Sequence, residues 1–109
     1  NSLFDLPEPP TAIVAFNDML AFGAINAAKE RRLKVGIDVS ISGFDDIPIA
    51  RHFRPPLTTV YQPTFEIGSQ VCDTLVKLIK DEPVENEQIL MRPTLVIRDS
   101  CGSPMDAAN

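Results

Sequence analysis

Two short acidic motifs carry the residue types that could do chemistry in this chain. Asn17-Asp18 follows the apolar run Ala12–Phe16, and Asp45-Asp46 follows the largely apolar run Val39–Phe44. Short runs of this kind predict buried strands, so both motifs lie where a strand should end. In an open parallel sheet, ligands bind just beyond the carboxyl ends of the strands, because loops and helix N-termini converge there. The two motifs therefore predict a site for a polar ligand.

Helix capping is a simpler explanation for some of these side chains. A short side-chain oxygen at a helix start accepts hydrogen bonds from N–H groups of the first turn, so Asn17 or Asp18 can cap the helix that follows. Asp46 can likewise cap the short helix that Ile47-Pro48 opens. Asp45 is harder to explain in this way, because a carboxylate beyond a buried strand end is costly unless it is solvated or paired.

Catalysis is the competing interpretation of the acidic pair Asp45-Asp46. Adjacent residues on one turn seldom direct both carboxylates at one substrate atom, and no nucleophile or metal-ligand cluster accompanies them. His52 is the sole histidine and has no cysteine or carboxylate at ligand spacing, so we interpret it as a surface or interface residue. We expect a binding protein, with neither an enzyme activity nor a cofactor or metal.

The composition excludes several classes of protein. The 109 residues are 44% hydrophobic and 23% charged, as in an ordinary globular domain with a small core. A net charge of -5 and a pI near 4.7 disfavour a nucleic-acid surface, since phosphate binding needs clustered lysine and arginine. No apolar stretch approaches the roughly 20 residues that span a bilayer. The start lacks the pattern of a signal peptide, and the absence of an initiator methionine indicates a piece of a longer chain.

The two cysteines, Cys72 and Cys101, show no metal-ligand or redox spacing. Cys72 falls in the apolar stripe of a predicted helix, where it should be a small buried hydrophobe. These features predict a reduced, cytoplasmic protein.

Strands and helices are predicted to alternate, which favours an α/β fold with a parallel sheet and helices on its faces. We expect strands at residues 12–16 (buried on both faces), 38–44, 57–61, 89–91 and 94–97, and helices at residues 18–31, 45–52 and 64–81. Thr64 is expected to cap the last helix, whose apolar residues keep the spacing of one buried face. The tail from Gly102 to Asn109 is expected to be disordered.

Motifs along nearly the whole chain resemble the lactose- and galactose-repressor family of bacterial transcription regulators. The segments that share their order and spacing with that family are Pro10-Thr11-Ala12-Ile13, Asn17-Asp18-x-x-Ala21-x-Gly23-Ala24, Asp38-Val39-Ser40-Ile41-Ser42-Gly43-Phe44-Asp45-Asp46, Pro55-Pro56-Leu57-Thr58-Thr59-Val60-x-Gln62-Pro63, Glu66-x-Gly68 and Leu95-Val96-x-Arg98-x-Ser100-Cys101-Gly102. Each motif alone is weak, but together they are specific. Arg32 departs from the pattern, because relatives often have glycine at this helix end, where a left-handed conformation is needed.

The resemblance implies a partial periplasmic-binding-protein-like type I fold, truncated at its N-terminal side, from a core with two similar lobes. Residues 1–101 would form the C-terminal part of an effector-binding and dimerisation domain. Within it, residues 9–61 and 92–99 would belong to the C-terminal lobe and residues 62–91 to the N-terminal lobe, and residues 102–109 would be the disordered tail. The implied protein is a homodimeric regulator that binds a small polar effector, sugar-like or nucleoside-like, between its lobes. It would bind operator DNA only through an N-terminal helix-turn-helix that this chain lacks.

The resemblance also assigns roles to individual residues. Asn17 resembles the family residue that hydrogen-bonds a sugar hydroxyl, and Asp45 resembles the acidic residue that accepts hydrogen bonds from paired hydroxyls or a ligand N–H. An amide and a carboxylate together suit a polyol, because the amide donates and accepts while the carboxylate accepts several bonds. Thr64 stands where many relatives place a larger side chain against the ligand, which leaves the ligand's identity open.

A subunit interface is implied for Met19, Phe22 and Phe53, whose matching positions in the family line the dimer contact of the C-terminal lobe. Core packing is the alternative, because apolar residues at helical spacing are usually core, although methionine and aromatic residues are enriched at interface centres. A periplasmic-type sugar-binding protein without DNA binding is the alternative function. It would carry a signal sequence upstream, where a regulator carries a helix-turn-helix.

Overall fold

The elements alternate between strand and helix along the chain. The computed structural model describes residues 2–85 and 88–104. Its elements are a 3-10 helix at Ser2–Asp5, β1 (Ala12–Val14), α1 (Asp18–Glu30), β2 (Ser40–Ser42), a 3-10 helix at Pro48–Arg51, β3 (Thr59–Tyr61), α2 (Thr64–Ile79) and β4 (Thr94–Val96). Two compact units result: unit 1 is Asn1–Tyr61 with Leu95–Asn109, and unit 2 is Gln62–Thr94. The α/β class expected from the sequence is confirmed.

The strands of unit 1 are parallel and end at one edge. β1 pairs with β2 in parallel. Parallel bridges between Ser42 and Thr58 and between Asp45 and Tyr61 continue the pairing from β2 to β3, and β3 pairs with β4. The predicted parallel sheet is therefore confirmed, and the segments that follow β1, β2 and β3 leave it at the same edge.

Helix α1 packs on one face of this sheet and forms the core with it. The Oδ1 atom of Asn17 accepts a hydrogen bond of 2.9 Å from the N–H of Leu20, so Asn17 is the N-cap that starts the helix. The residues of α1 that face the sheet are apolar at helical spacing and bury their side chains. The buried cluster comprises Ala21, Phe22, Ile25, Ala28, Val39, Ile41, Ala50 and Leu57.

The C-terminus of α1 closes in a Schellman motif. Leu33 donates its N–H to Ala28 O at 3.0 Å, and Arg32 donates its N–H to Lys29 O at 2.9 Å. Arg32 has a φ of 60°, the left-handed conformation expected at this position. Arginine accepts this conformation less readily than glycine, and the two hydrogen bonds hold it there.

The opposite face of the sheet is exposed, whereas the sequence predicted that the first strand is buried on both faces. Val14 is 85% exposed and Phe16 is 86% exposed, so the first strand is not buried on both faces. Within the described part of unit 1, α1 is the only α-helix, and the buried cluster lies between it and the other face of the sheet. Each strand is three residues long, shorter than predicted, and the strand expected at residues 89–91 is absent from the part of the chain that the structure describes.

Unit 2 is dominated by α2, whose apolar face is uncovered. Pro63 occupies the N-cap position of α2 and makes no side-chain cap bond, so Thr64 is the first helical residue and not the cap. No residue of α2 is buried. The buried stripe expected on this helix, with Cys72 in it, is therefore exposed among the residues that the structure describes. An apolar groove of about 430 Å³ runs between α2 and residues 89–91. Within the described ranges, neither helix is long and apolar enough to cross a membrane.

Ser100 ties the end of the chain into the sheet of unit 1. Its hydroxyl donates to Ile41 O at 2.5 Å and accepts from the N–H of Thr58 at 2.8 Å. Ser100 is fully buried. Gly102 exchanges hydrogen bonds with the hydroxyl of Ser40, so the ordered contacts extend into the segment expected to be disordered. Residues 105–109 of that segment lie outside the described residues.

Replacing Ser100 with alanine is expected to lower the free energy of unfolding by about 2 kcal/mol, because the buried N–H of Thr58 loses its acceptor. Urea unfolding followed by circular dichroism measures this change. The matched control is Ser42→Ala, since no hydrogen bond from the Ser42 side chain is found among the described residues. Equal stabilities of the two variants would contradict the role assigned to Ser100.

Candidate functional site

The backbone brings Asn17 and Asp45 to the same edge of the sheet. The N–H of Asp18 donates to Phe44 O at 3.0 Å. This N–H belongs to the peptide group that joins residues 17 and 18, and this carbonyl belongs to the peptide group that joins residues 44 and 45. The two predicted ligand contacts are therefore held together by a direct bond between their own peptide groups.

Asn17 uses only the oxygen of its side-chain amide within the described structure. Its oxygen accepts the capping bond from Leu20. Its amide nitrogen has no hydrogen-bond partner among the residues that the structure describes, and the side chain is partly exposed. Capping and ligand binding are thus compatible at Asn17. The capping bond leaves the two amide N–H groups as the part that a ligand oxygen can use.

Asp18 is a buried carboxylate that organises the strand ends. It is fully buried. Its Oδ1 accepts from the Thr59 hydroxyl at 2.5 Å, and its Oδ2 accepts from the N–H of Ile47 at 2.8 Å. The capping role predicted for Asp18 is therefore wrong, because Asn17 takes the cap and Asp18 turns into the sheet edge. Gly43 makes room for it, since a Cβ at Gly43 would lie 2.4 Å from Asp18 Oδ1.

Asp45 stands at the start of a turn with an unusual backbone. Its φ is 114° and that of Asp46 is 52°, so two consecutive non-glycine residues have positive φ. Asp45 is partly buried, and its N–H donates to Val60 O at 2.9 Å. Conformations of this kind persist where the surroundings hold them, and they concentrate at ligand sites. The backbone of Asp45 thus has the character of a functional position.

Asp46 forms an ion pair instead of capping a helix. Its Oδ1 lies 2.8 Å from Nη1 of Arg98, and the two side chains are only 10% and 15% exposed. Ile47 precedes the 3-10 helix as its N-cap and makes no side-chain cap bond, so the capping role predicted for Asp46 is wrong. Sequence reasoning missed Arg98 and Thr59, although both stand in segments that carry the family resemblance.

The remaining predicted site residues lie elsewhere. Thr64 is exposed and belongs to unit 2, so its part in the site stays a prediction. Met19 is 66% exposed, whereas Phe22 is 7% exposed. The rings of Phe22 and Phe53 stack with centroids 4.3 Å apart. Phe22 therefore packs within unit 1, and Met19 is the member of the predicted interface that is most available to a partner. His52 is exposed at the surface.

The site has the chemistry of a binding site. It combines amide N–H donors at Asn17, a carboxylate at Asp45 and a preformed turn, all at the carboxyl ends of parallel strands. No group of three or more histidine, cysteine or acidic side chains that could hold a metal occurs within residues 2–85 and 88–104.

A parallel sheet with polar side chains at its strand ends is typical of ligand-binding α/β domains. Residues 1–101 match the periplasmic binding protein-like domain family. The HTH-type transcriptional repressor CytR of Escherichia coli strain K12 is 43% identical over 98 residues, which are 90% of this chain and 29% of CytR. The chain belongs to the periplasmic binding protein-like domain family, and it is similar to LacI-family proteins over most of its length.

Solved structures agree with this assignment. A LacI-family regulatory protein from Chloroflexus aggregans superimposes with a TM-score of 0.82 at 43% identity, over 93% of this chain and 37% of that one. The lac repressor dimer bound to operator and the anti-inducer ONPF superimposes with a TM-score of 0.78 at 36% identity, over 86% of this chain and 32% of that one. The chain thus spans well under half the length of these relatives.

Proposed function

We propose that this chain is the ligand-sensing and dimerisation part of a bacterial transcription regulator. The observation that carries the proposal is the direct bond between the peptide groups of Asn17-Asp18 and Phe44-Asp45, in a chain of a family whose members include repressors. The effector would be small and polar, sugar-like or nucleoside-like, and would lie between two lobes. Asn17 would donate to one of its oxygens, and Asp45 would accept from its hydroxyl or N–H groups.

Regulation would follow from differential affinity. An effector that binds one pose of the two lobes better than another shifts the population toward that pose, and DNA-binding heads attached to the lobes respond. The protein would act without catalysis in the cytoplasm, and its contact with operator DNA would come through a helix-turn-helix outside the chain described here. A sugar-binding transport component is not favoured, because CytR and the lac repressor are both repressors.

The test is a mobility-shift assay with the intact protein and DNA from its own promoter region, with and without a panel of sugars and nucleosides. We expect specific DNA binding whose affinity changes by about 10-fold or more with one effector, within the usual range of coupling energies. Absence of specific DNA binding under every condition would reject the regulator. DNA binding that no sugar or nucleoside alters would reject the proposed effector class.

Dimerisation would use the exposed side of α1 around Met19. A two-fold interface is isologous, so one substitution changes both sides of it. Met19→Glu is expected to raise the dimer dissociation constant by at least about 10-fold, equivalent to about 1.4 kcal/mol, because two carboxylates would be buried together.

Analytical ultracentrifugation of the intact protein measures the Met19→Glu effect. Ile37→Glu is the matched control, since Ile37 is also an exposed apolar residue of unit 1, 60% exposed against 66% for Met19, but lies outside α1. If both variants dimerise as the wild type does, the interface does not include Met19. If both dissociate equally, the effect is not specific to α1.

A further inference from the structure

The turn that carries Asp45 needs external support. Both Asp45 and Asp46 have positive φ values, 114° and 52°, which side chains with a Cβ rarely adopt. Neither position holds glycine, so the conformation does not arise from the local sequence. The surrounding contacts must impose it.

Three backbone N–H groups of the turn are anchored by residues of β3 and by the first residue of α1. The N–H of Asp45 donates to Val60 O at 2.9 Å. The N–H of Asp46 donates to the Thr59 hydroxyl at 3.3 Å, and that of Ile47 donates to Asp18 Oδ2 at 2.8 Å. These bonds fix the path of the turn against β3 and the start of α1.

The fourth anchor is the side chain of Arg98, which lies two residues after β4. Arg98 Nη1 lies 2.8 Å from Asp46 Oδ1 and also donates to Leu57 O at 2.9 Å. The backbone of Arg98 is held as well, because its N–H donates to the Thr58 hydroxyl at 2.9 Å and its carbonyl accepts from the same hydroxyl at 3.0 Å. Arg98 is thus fixed at both its backbone and its guanidinium.

The low exposure of the pair makes it a strong anchor. With the side chains of Asp46 and Arg98 10% and 15% exposed, water screens their attraction less than on an open surface. The Arg31–Asp5 ion pair of the same unit serves as a comparison. Its side chains are 27% and 59% exposed, as in ordinary surface ion pairs, which contribute little to stability.

We propose that the Asp46–Arg98 ion pair positions Asp45 for effector contact, a role that rests on the proposed function of the site. Arg98 itself need not touch the effector. It holds the neighbouring residue Asp46, and through it sets the direction in which the Asp45 carboxylate leaves the sheet edge. Arg98 is therefore a positioning residue, and its effect on binding depends on Asp45 being present.

The experiment compares the intact wild-type protein with Arg98→Gln in two measurements. The first is amide hydrogen exchange of the peptide that spans residues 43–48, which needs no effector. We expect exchange in this peptide to accelerate by about 10-fold or more in Arg98→Gln, because an anchor of a strained turn is lost. The second is calorimetric titration with uridine and with methyl β-D-galactopyranoside, which represent the two proposed effector classes.

For the probe that binds, Arg98→Gln is expected to weaken affinity about 10-fold, since a misplaced contact group loses much of its interaction. In an Asp45→Ala background, Arg98→Gln should cause no further loss of affinity. If Arg98 only stabilised the fold, Arg98→Gln would weaken binding in this background as well. Arg98→Lys, which keeps the charge, should recover part of the affinity. Arg31→Gln, which breaks the surface pair, should leave affinity and exchange unchanged.

The outcomes separate the inference from the function on which it rests. If neither probe binds the wild type, the proposed effector class is wrong, and the exchange measurement alone decides the anchoring role of Arg98. Unchanged exchange in residues 43–48 of Arg98→Gln overturns the inference. So does a loss of affinity that is equal with and without Asp45, because it would reflect general destabilisation.

Discussion

Asp45→Asn in the intact protein is expected to weaken effector binding about 30-fold, or about 2 kcal/mol. The amide offers one acceptor oxygen in place of two and carries no charge, so it satisfies paired ligand hydroxyls poorly. Asparagine also tolerates positive φ better than most residues, so the turn with φ of 114° is retained. Calorimetric titration gives the affinity, and urea unfolding gives the stability.

The control for Asp45→Asn is Asp38→Asn, the same substitution near the other end of β2. Asp38 precedes β2 and accepts from the N–H of Lys34 at 2.7 Å, a bond that an asparagine oxygen can still accept. Asp38→Asn should therefore bind the effector as the wild type does. Equal affinity of wild type and Asp45→Asn would remove Asp45 from the site. A large loss of stability in Asp45→Asn would mean that the carboxylate supports the fold instead.

Gly43→Ala is expected to have the largest effect on stability, lowering the free energy of unfolding by about 3 kcal/mol. An added Cβ would lie 2.4 Å from Asp18 Oδ1, 3.1 Å from Asp18 Cα and 3.0 Å from a methyl group of Leu57. Asp18 cannot move aside cheaply, because its carboxylate holds Thr59 and Ile47. The clash must therefore displace the strand ends, and we expect effector affinity to fall together with stability.

Gly23→Ala is expected to stabilise the protein, in contrast to Gly43→Ala in the same unit. Gly23 lies in the middle of α1, and an added Cβ would meet nothing within 4 Å. Alanine should stabilise the helix by about 0.5–1 kcal/mol, because glycine loses more backbone freedom on folding. Urea unfolding of both variants gives the comparison. A mild effect of Gly43→Ala would show that the loop after β2 can shift, and it would contradict the close packing of Gly43 against Asp18.

Much of unit 1 could be predicted from the sequence because its signals are local. The short side chain of Asn17 before an apolar helix predicts an N-cap, and the bond to Leu20 confirms it. The left-handed φ of Arg32 is expected only from the family resemblance, because arginine itself does not favour this conformation. Parallel pairing of β1 and β2 follows from the alternation of strands and helices.

The interactions of the acidic residues could not be predicted in this way, because their partners are distant in sequence. Asp18 and Asp46 have the short polar side chains of capping residues, and capping needs only the adjacent helix. Their actual partners are Thr59 and Arg98. Side-chain type limits what bonds can form, whereas tertiary packing selects which of them do.

Burial was predicted wrongly where it depends on what covers a surface. The apolar face of α2 has the periodicity of a packed helix, yet no α2 residue is buried within the described part of unit 2. Val14 and Phe16 show the same discrepancy on the open face of the sheet. Periodicity shows that a face is apolar, and it does not identify the element that covers it.

The two hydrogen bonds of Ser100 also constrain how unit 1 is made. They connect residues 59 and 42 positions apart in the chain, so the ribosome must deliver Ser100 before the sheet can acquire these contacts. Contacts between such distant residues form slowly, because the intervening chain must first be ordered. Until then the nascent polypeptide exposes β2 and β3 without their last partner, and the whole of unit 2 is synthesised during that interval. Synthesis of unit 1 therefore begins before that of unit 2, but the folding of unit 1 can be completed only after unit 2 has been synthesised.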